Sequence, residues 1–417
     1  MRILFLTQVL PYPLNAGPKV RAYYVLRHLA ERGHEVTLVS FVRDDDSPDS
    51  VAHLQGFCRA VHTLPMRRSR LKDARYLAQS LLSGRSFIIE RDTDRAMHDL
   101  IHRLLGEQSF DVIHADQLWM AQYALNGDGV KRVLDEHNAV YMIPQRLARY
   151  EGNPIKRWVL EREWRALARY EGEVCNRFDH VVAVTEDDRA LLSGISGGDG
   201  AHFSVIPICI DPAEKQPIHP RLGAKRMLVL GTMFYPPNAE GALWLAREVF
   251  PLVQRDVPDA RLTVIGKNPP VELQRLGGKH LTTETQRAQR VLSYASDGGV
   301  DVLGYVAEPM PYLAESAVFA VPLRAGGGMR VKILDAWCWG LPIVSTAVGA
   351  EGIEMRDGEN ILIADDARSF ADAVVRVMTD GALARRLRDN GRAWVEERYN
   401  WRRVYYQWDE VYARLRG

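Results

Sequence analysis

Short apolar runs, each about as long as one buried strand, recur along the chain with an amphipathic stretch between them. Residues 2–8 form the first run, closed by Pro11, Pro13 and Gly17. From Val20 to Arg32 the apolar positions Val20, Tyr23, Tyr24, Leu26, Leu29 and Ala30 follow helical spacing. Gly33 ends that stripe, and Val36–Phe41 is the next apolar run. A strand–helix–strand opening predicts parallel pairing with a right-handed crossover. Val112–Ile113, Arg132–Leu134 and Val181–Val184 continue the alternation, as in a doubly wound sheet. A second series follows Pro207-Ile208-Cys209-Ile210-Asp211-Pro212, whose prolines and trailing polar residues up to Pro220 read as a linker. Its runs are Met227–Leu230, Arg261–Ile265, Val300–Leu303, Val318–Pro322 and Ile343–Ser345. The pattern is α/β with two similar domains, 1–212 and 213–399, and an aromatic-rich helical stretch at 400–417.

Length agrees, since 417 residues at ~150 per domain suggest two or three domains. Lys and Arg total 54 against 53 Asp and Glu, a balance that gives nucleic-acid binding no support as the main task. The cysteines Cys58, Cys175, Cys209 and Cys338 are far apart and form no Cys-x-x-Cys pair, so no zinc knuckle or disulfide framework is indicated. No run approaches ~18 apolar residues, and no small-residue cleavage site follows the Met1–Thr7 run. The reading is a cytoplasmic enzyme, with room for weak peripheral contact at a membrane.

The first strand–helix loop, Gln8 to Lys19, lacks Gly-x-Gly-x-x-Gly, and the second strand ends in Ser40-Phe41 without an acidic ribose partner. A nicotinamide enzyme is disfavoured. Gly17 precedes a helix N-terminus, where free amides favour an anion, but on this loop alone a sharp turn is the preferred explanation. The segment Pro322-Leu323-Arg324-Ala325-Gly326-Gly327-Gly328-Met329-Arg330-Val331-Lys332 is more informative. It joins a strand end to a helix, its glycines let backbone approach a ligand, and Arg330 and Lys332 stand where phosphate charge would be. Asp335, a turn later, has acceptors for sugar hydroxyls. The pattern fits a nucleotide-phosphate site, the alternative being a flexible loop with solvated basic residues.

His114 and His137 follow strands at their carboxyl ends, where open α/β sheets bind ligands, although a lone histidine is more often structural. A metal pair with Asp116 and Glu136 lacks supporting spacing. Between Arg146 and Arg169, basic residues alternate with aromatics: Arg149, Tyr150, Lys156, Arg157, Trp158, Arg162, Trp164 and Arg165. Such a stretch suits anionic headgroups, yet Glu161 and Glu163 favour a solvated helix with internal ion pairs. The cluster Arg67, Arg68, Arg70, Lys72 and Arg75 reads the same way.

Taken together these landmarks resemble family 4 of the retaining glycosyltransferases, which have the GT-B fold. The carriers are Met1–Ser40, the surroundings of His114 and His137, Val182–Asp188, Gly231–Asn238 and Pro322–Thr346. Asp335-Ala336-Trp337-Cys338-Trp339-Gly340-Leu341-Pro342-Ile343-Val344-Ser345-Thr346 is similar to the family's Glu-Ala-Met-Ala-Cys-Gly-Leu-Pro-Val-Val-Ala-Thr. The resemblance implies two Rossmann-like domains facing across a cleft, with the helix after Asn400 returning to the first. It implies that His137 faces the donor sugar, and that Gly17, Gly231, Thr232, Gly304, Gly327, Gly328, Met329, Arg330, Val331, Lys332 and Asp335 surround the donor. Lys19 and Arg21 would lie on the acceptor side. The family's first paired glutamate falls on Gly327. The usual Arg and Lys are absent from Gly231–Asn238, so Arg330 and Lys332 would supply the charge, as in a Gly-Gly-Gly-x-Arg-x-Lys branch.

The implied activity is transfer of a sugar, with retention, from a nucleotide diphosphate donor to an acceptor hydroxyl on a glycan, lipid-linked or small molecule. No metal or other cofactor is expected, nor any nucleic-acid partner. The rival readings are a non-catalytic nucleotide-sugar-binding protein and a nucleotide-sugar epimerase of the same fold.

Overall fold

Strand β1 (Arg2–Thr7) carries Ile3, Leu4, Phe5 and Leu6, all fully buried. Both its faces are therefore covered, as in a parallel sheet sandwiched between helices. The computed structural model describes residues 1–66, 70–127, 129–198, 200, 202–218, 223–277 and 298–416, apart from the side chains of 70–72 and 150. Arg67, Arg68, the side chains of Arg70, Lys72 and Tyr150, and the linker end at 219–220 thus lie outside the described residues.

The remaining strands of the first sheet are β2 (Glu35–Val42), β3 (Ala60–Pro65), β4 (Val112–Asp116), β5 (Lys131–Glu136), β6 (His180–Ala183) and β7 (Phe203–Val205). They lie in the order β3-β2-β1-β4-β5-β6-β7, and every pairing is parallel. The order reverses between β1 and β4, and loops leaving the strand ends there diverge to open a crevice. Register sets Thr7 beside Asp116, and Asp116 beside Asp135. Strands β3 and β7 are absent from the sequence reading. Both are edge strands: β3 is only partly buried and carries His62 and Thr63, and β7 is three residues long. Neither shows the apolar run that marks a central strand.

The second sheet holds β8 (Arg226–Leu230), β9 (Arg261–Ile265), β10 (Val300–Leu303), β11 (Ser316–Val321), β12 (Ile343–Ser345) and β13 (Leu362–Ile363). Its order is β10-β9-β8-β11-β12-β13, again all parallel, with the reversal between β8 and β11.

The chain divides into two units. One contains Met1–Ile210, Gly327–Met329 and Tyr399–Gly417; the other contains Asp211–Gly326 and Arg330–Arg398. The terminal segment is tied to the first unit by Ile210 N–H donating to Tyr399 O (2.9 Å) and Trp401 N–H donating to Ile210 O (3.1 Å). It forms two helices, Trp401–Val404 and Tyr406–Arg414, rather than one. The break falls at Tyr405, whose hydroxyl accepts from Cys209 N–H (3.1 Å). Trp401, Tyr405, Trp408 and Tyr412 are all buried. Each such aromatic contributes about 1.5–3 kcal/mol through the apolar surface it removes from water.

Candidate active site

In the second unit the sheet reversal lies between β8 and β11, so the loops after these strands flank the ligand-binding position of such sheets. Gly231 ends β8. Lys332, in the first turn of the helix Val331–Cys338, donates from Nζ to Asn238 Oδ1 (3.0 Å), and Asn238 Nδ2 donates to Thr232 O (3.0 Å). A Cβ on Gly231 would stand 3.0 Å from both Lys332 Nζ and Asn238 Nδ2. Glycine there lets the ammonium sit against the backbone. Burial, then the neighbouring Arg330, pushes the Lys332 ammonium down to about 8.

Backbone also packs on backbone here. Gly266 N–H donates to Gly304 O (3.1 Å), and a Cβ on Gly266 would meet Gly231 O at 1.8 Å. Asn238 enters the sequence reading only as the end of the Gly231–Asn238 landmark, without a role, and Gly266 is absent from it. The signal for Gly266 was its place immediately after the Arg261–Ile265 run.

Gly326 (φ +124°) and Gly328 (φ +80°) occupy backbone conformations that side-chain-bearing residues rarely adopt. The loop they shape leads into the helix Val331–Cys338, whose N-cap Arg330 makes no side-chain cap. The Val331 and Lys332 amides begin this helix, with the buried Arg330 and half-buried Lys332 side chains beside them, and groups of this kind favour an anion. Asp335 is paired with Lys215, whose ammonium also lies 5.3 Å from the Trp339 ring centre. Oδ1 of Asp335 is therefore already engaged within the unit.

In the first unit, His137 follows β5 directly. Its Nε2 shares a hydrogen bond with Asp116 Oδ1 (2.9 Å), while its Nδ1 is buried without a partner among the described residues. His137 is only 6% exposed, so this imidazole is held within the fold rather than lying loose at the surface. Asp116, considered from sequence only as a metal ligand, is its anchor. Burial raises the Asp116 carboxyl, and His137 opposes the rise.

Arg21 requires a correction. It is fully buried, with Nε and Nη2 donating to Asp135 (3.0 and 2.9 Å) and Nη1 donating to Pro207 O (2.6 Å). Its guanidinium also lies over the Trp408 ring at 5.0 Å. An arginine so enclosed has no fork left for an acceptor, and its work is to hold the fold. Lys19 pairs with Asp46 (3.2 Å). Gly17 begins the helix Gly17–Glu31, whose N-cap Ala16 gives no side-chain cap, and its own φ is not positive. His114 is fully buried, stacked on Phe5 (4.1 Å) and bonded through Nδ1 to the Tyr412 hydroxyl (2.8 Å).

Asp116, Asp135 and His137 each offer one ligand atom, all within 4.8 Å of one another. However, Arg21 takes both oxygens of Asp135, and Asp116 Oδ1 is engaged by His137. A cation there would displace these bonds.

Two family models match in tandem: glycosyltransferase family 4 over residues 16–214, and glycosyl transferases group 1 over residues 224–380. A protein of the Klebsiella pneumoniae cps region, of 44.6 kDa, is 22% identical over 411 residues, covering 97% of this chain and 98% of its own. The lipopolysaccharide core biosynthesis glycosyltransferase LpsE of Rhizobium meliloti is 35% identical over 96 residues, 22% of this chain and 28% of its own. Among solved structures, Anabaena HepE in complex with UDP and glucose superposes with a TM-score of 0.66 at 13% identity, covering 99% of each chain. The chain belongs to the family-4 glycosyltransferases and has their GT-B fold. No helix among the described residues is long and apolar enough to cross a membrane.

Proposed function

We propose that this protein transfers a sugar, with retention at the anomeric carbon, from a nucleotide diphosphate donor to an acceptor hydroxyl in the assembly of a cell-surface polysaccharide or lipopolysaccharide. The observation that carries the donor side is Lys332 seated on Gly231 beside the uncapped helix N-terminus at Val331. These groups would stabilise the charge growing on the departing diphosphate. HepE, of the same fold, was crystallised with UDP-glucose, which supports a nucleotide sugar as donor. The cps region of the Klebsiella relative and the activity of LpsE support a glycan as the product.

Front-face attack is the preferred route. Asp116 is committed to His137 and Asp135 to Arg21, and Glu136 is fully buried with its carboxyl raised by burial, so none is offered as a covalent nucleophile. The acceptor oxygen bonds to the anomeric carbon as the carbon–phosphate-oxygen bond breaks, and a diphosphate oxygen takes the acceptor proton. His137 would act through its unpartnered Nδ1, with Asp116 holding the ring. Asp335 would present Oδ2 to the ribose, Oδ1 being held by Lys215. Charge is carried by Arg330, Lys332 and amides, so the reaction should survive chelation of divalent metal.

A peripheral membrane contact gains a specific observation. Ile155 (73% exposed), Trp158 and Val159 are exposed at the start of the helix Pro154–Arg177, alongside Lys156 and Arg157. An anionic lipid surface suits such a face.

The test is a thermal-shift screen of nucleoside diphosphates and their sugars, followed by donor hydrolysis. A ligand selective for the native state raises the melting temperature by mass action. Stabilisation without any sugar release would favour the non-catalytic binding protein. Release of an epimerised nucleotide sugar would favour the epimerase.

A further inference from the structure

The helix Met142–Tyr150 is prepared by the segment after His137, where Met142 N–H donates to Ala139 O and Ile143 N–H to Val140 O. The amides of Ala139, Val140 and Tyr141 are therefore first-turn donors without partners in the helix itself. No nearby side chain in sequence caps them. Instead Asp188 Oδ1 accepts from Ala139 N–H (2.9 Å), and the two oxygens of Glu171 accept from Val140 N–H (2.7 Å) and Tyr141 N–H (3.0 Å).

Glu171 is fully buried in the helix Pro154–Arg177, and Asp188 is buried at the start of the helix Glu186–Ser196. Asp188 is itself oriented by Thr185, whose hydroxyl donates to Oδ2 (2.6 Å). Three successive amides are thus gripped by carboxylates from two other helices. On the other side of His137, Glu136 is locked into β5 by its pairing with Ala183. Between strand and grip only His137 and Asn138 remain.

We infer that Glu171 and Asp188 are positioning residues that set where the His137 imidazole stands, by clamping the three amides that follow it. The inference rests on the proposed role of His137 in sugar transfer. The physical basis is that three successive hydrogen bonds to buried backbone amides fix the chain in a low-dielectric interior, and that a misplacement near 1 Å at a reacting group costs rate steeply. Neither carboxylate touches the reacting atoms.

The experiment compares Glu171→Gln and Asp188→Asn with the parent. Each amide keeps one acceptor oxygen and replaces the other with a donor. Glu171→Gln therefore sets a donor against one of two amides, whereas Asp188→Asn sets one against either the Ala139 amide or the Thr185 hydroxyl. Two readouts are taken. The first is the ring resonances of the protein labelled with ¹³C,¹⁵N-histidine, with His137 assigned through His137→Gln. The second is the division between kcat and donor KM.

The expected result is that both variants move the His137 ring signals and leave those of His34 and His62 in place. In the same variants kcat falls by ~10-fold or more, with donor KM within about twofold. Unmoved His137 signals in both variants would overturn the inference. So would a uniform shift of all histidine signals with loss of melting temperature, which marks a merely structural role. If the parent releases no sugar from any donor, the transferase reading fails, and the clamp is decided by the ring signals alone. Asp188→Asn, the milder change, keeps the test open if Glu171→Gln does not fold.

Discussion

Arg21 and Asp135 form a fully buried two-pronged ion pair, Nε and Nη2 of the arginine meeting the carboxylate at 3.0 and 2.9 Å. The pair ties the helix Gly17–Glu31 to the end of β5, and the remaining arginine nitrogen holds Pro207 O at the exit of the first unit. Removing one partner leaves the other charge buried and alone. Arg21→Ala should therefore cost about 3–5 kcal/mol in urea unfolding. Burial would raise the Asp135 carboxyl, but Arg21 and His114 overcome it and hold the group well below the usual carboxylate range. A depressed carboxyl stabilises the fold above its unfolded value and loses that contribution only as pH falls below it. In Arg21→Ala burial would act on Asp135 with its main opponent gone and raise it, so the penalty should be largest near pH 8 and shrink as pH falls towards 5, and a penalty that stays constant there would contradict the pairing.

Glu136 gives the opposite pH behaviour. Its side chain is fully buried with neither oxygen partnered among the described residues, and burial together with Glu171 raises it well above the usual range. Burial likewise pushes Glu171 up to about 8. For a raised acid the native state keeps protons that the unfolded chain has released above pH ~4.5, so stability falls as pH rises from there through about 8. Glu136→Gln removes one of these protonations. Its melting temperature should match the parent near pH 4.5 and exceed it increasingly towards pH 8.5.

Lys332→Ala should weaken nucleoside diphosphate binding by ~1.5–3 kcal/mol, the loss of a charge-assisted hydrogen bond, and change bare nucleoside binding much less. Titration calorimetry distinguishes the two. Equal loss for both ligands would mean that Lys332 supports only the loop it shares with Asn238. With its ammonium pushed down to about 8, diphosphate affinity in the parent should decline as pH rises past that value. In Lys332→Arg, which stays charged, the decline should flatten.

His137→Ala would leave Asp116 buried without its ring partner, so some loss of melting temperature is expected along with the loss of rate. His137→Gln keeps a donor for Asp116 and separates the two effects. It should fold like the parent yet turn over ~10²–10⁴-fold more slowly, the range for a group engaged in proton or charge transfer. His114→Ala should instead lower stability first, since His114 is packed between Phe5 and the Trp408–Tyr412 segment. Normal turnover by His137→Gln would remove His137 from the chemistry.

Gly266→Ala should destabilise the second unit far more than Gly298→Ala. The new Cβ at 266 would fall 1.8 Å from Gly231 O, which is backbone and has nowhere to yield, whereas open space surrounds 298. Thermal unfolding of the two variants decides this.

The central strands of both sheets were legible in the sequence because a strand covered on both faces must be apolar throughout, and a one-dimensional pattern records that. Edge strands β3 and β7 were not, since partial exposure admits His62 and Ser204 and erases the run. The phosphate loop was legible through its glycines and the cations after them, because backbone approach and helix start are local properties. The fate of each charged side chain was not. The resemblance put Arg21 on the acceptor side, but tertiary structure lays Asp135, Pro207 and Tyr405 around it, from 114 to 384 positions away. Asp116 gained its meaning only when β4 and β5 paired and brought His137 to it. Glu171 has no place in the sequence reading and Asp188 only ends the Val182–Asp188 landmark; three-dimensional packing turns both on the Ala139–Tyr141 amides. Sequence alone determined the central strands and the helix starts beside them, through short-range spacing. Which charges meet depends on long-range pairing, and only the folded chain decides it.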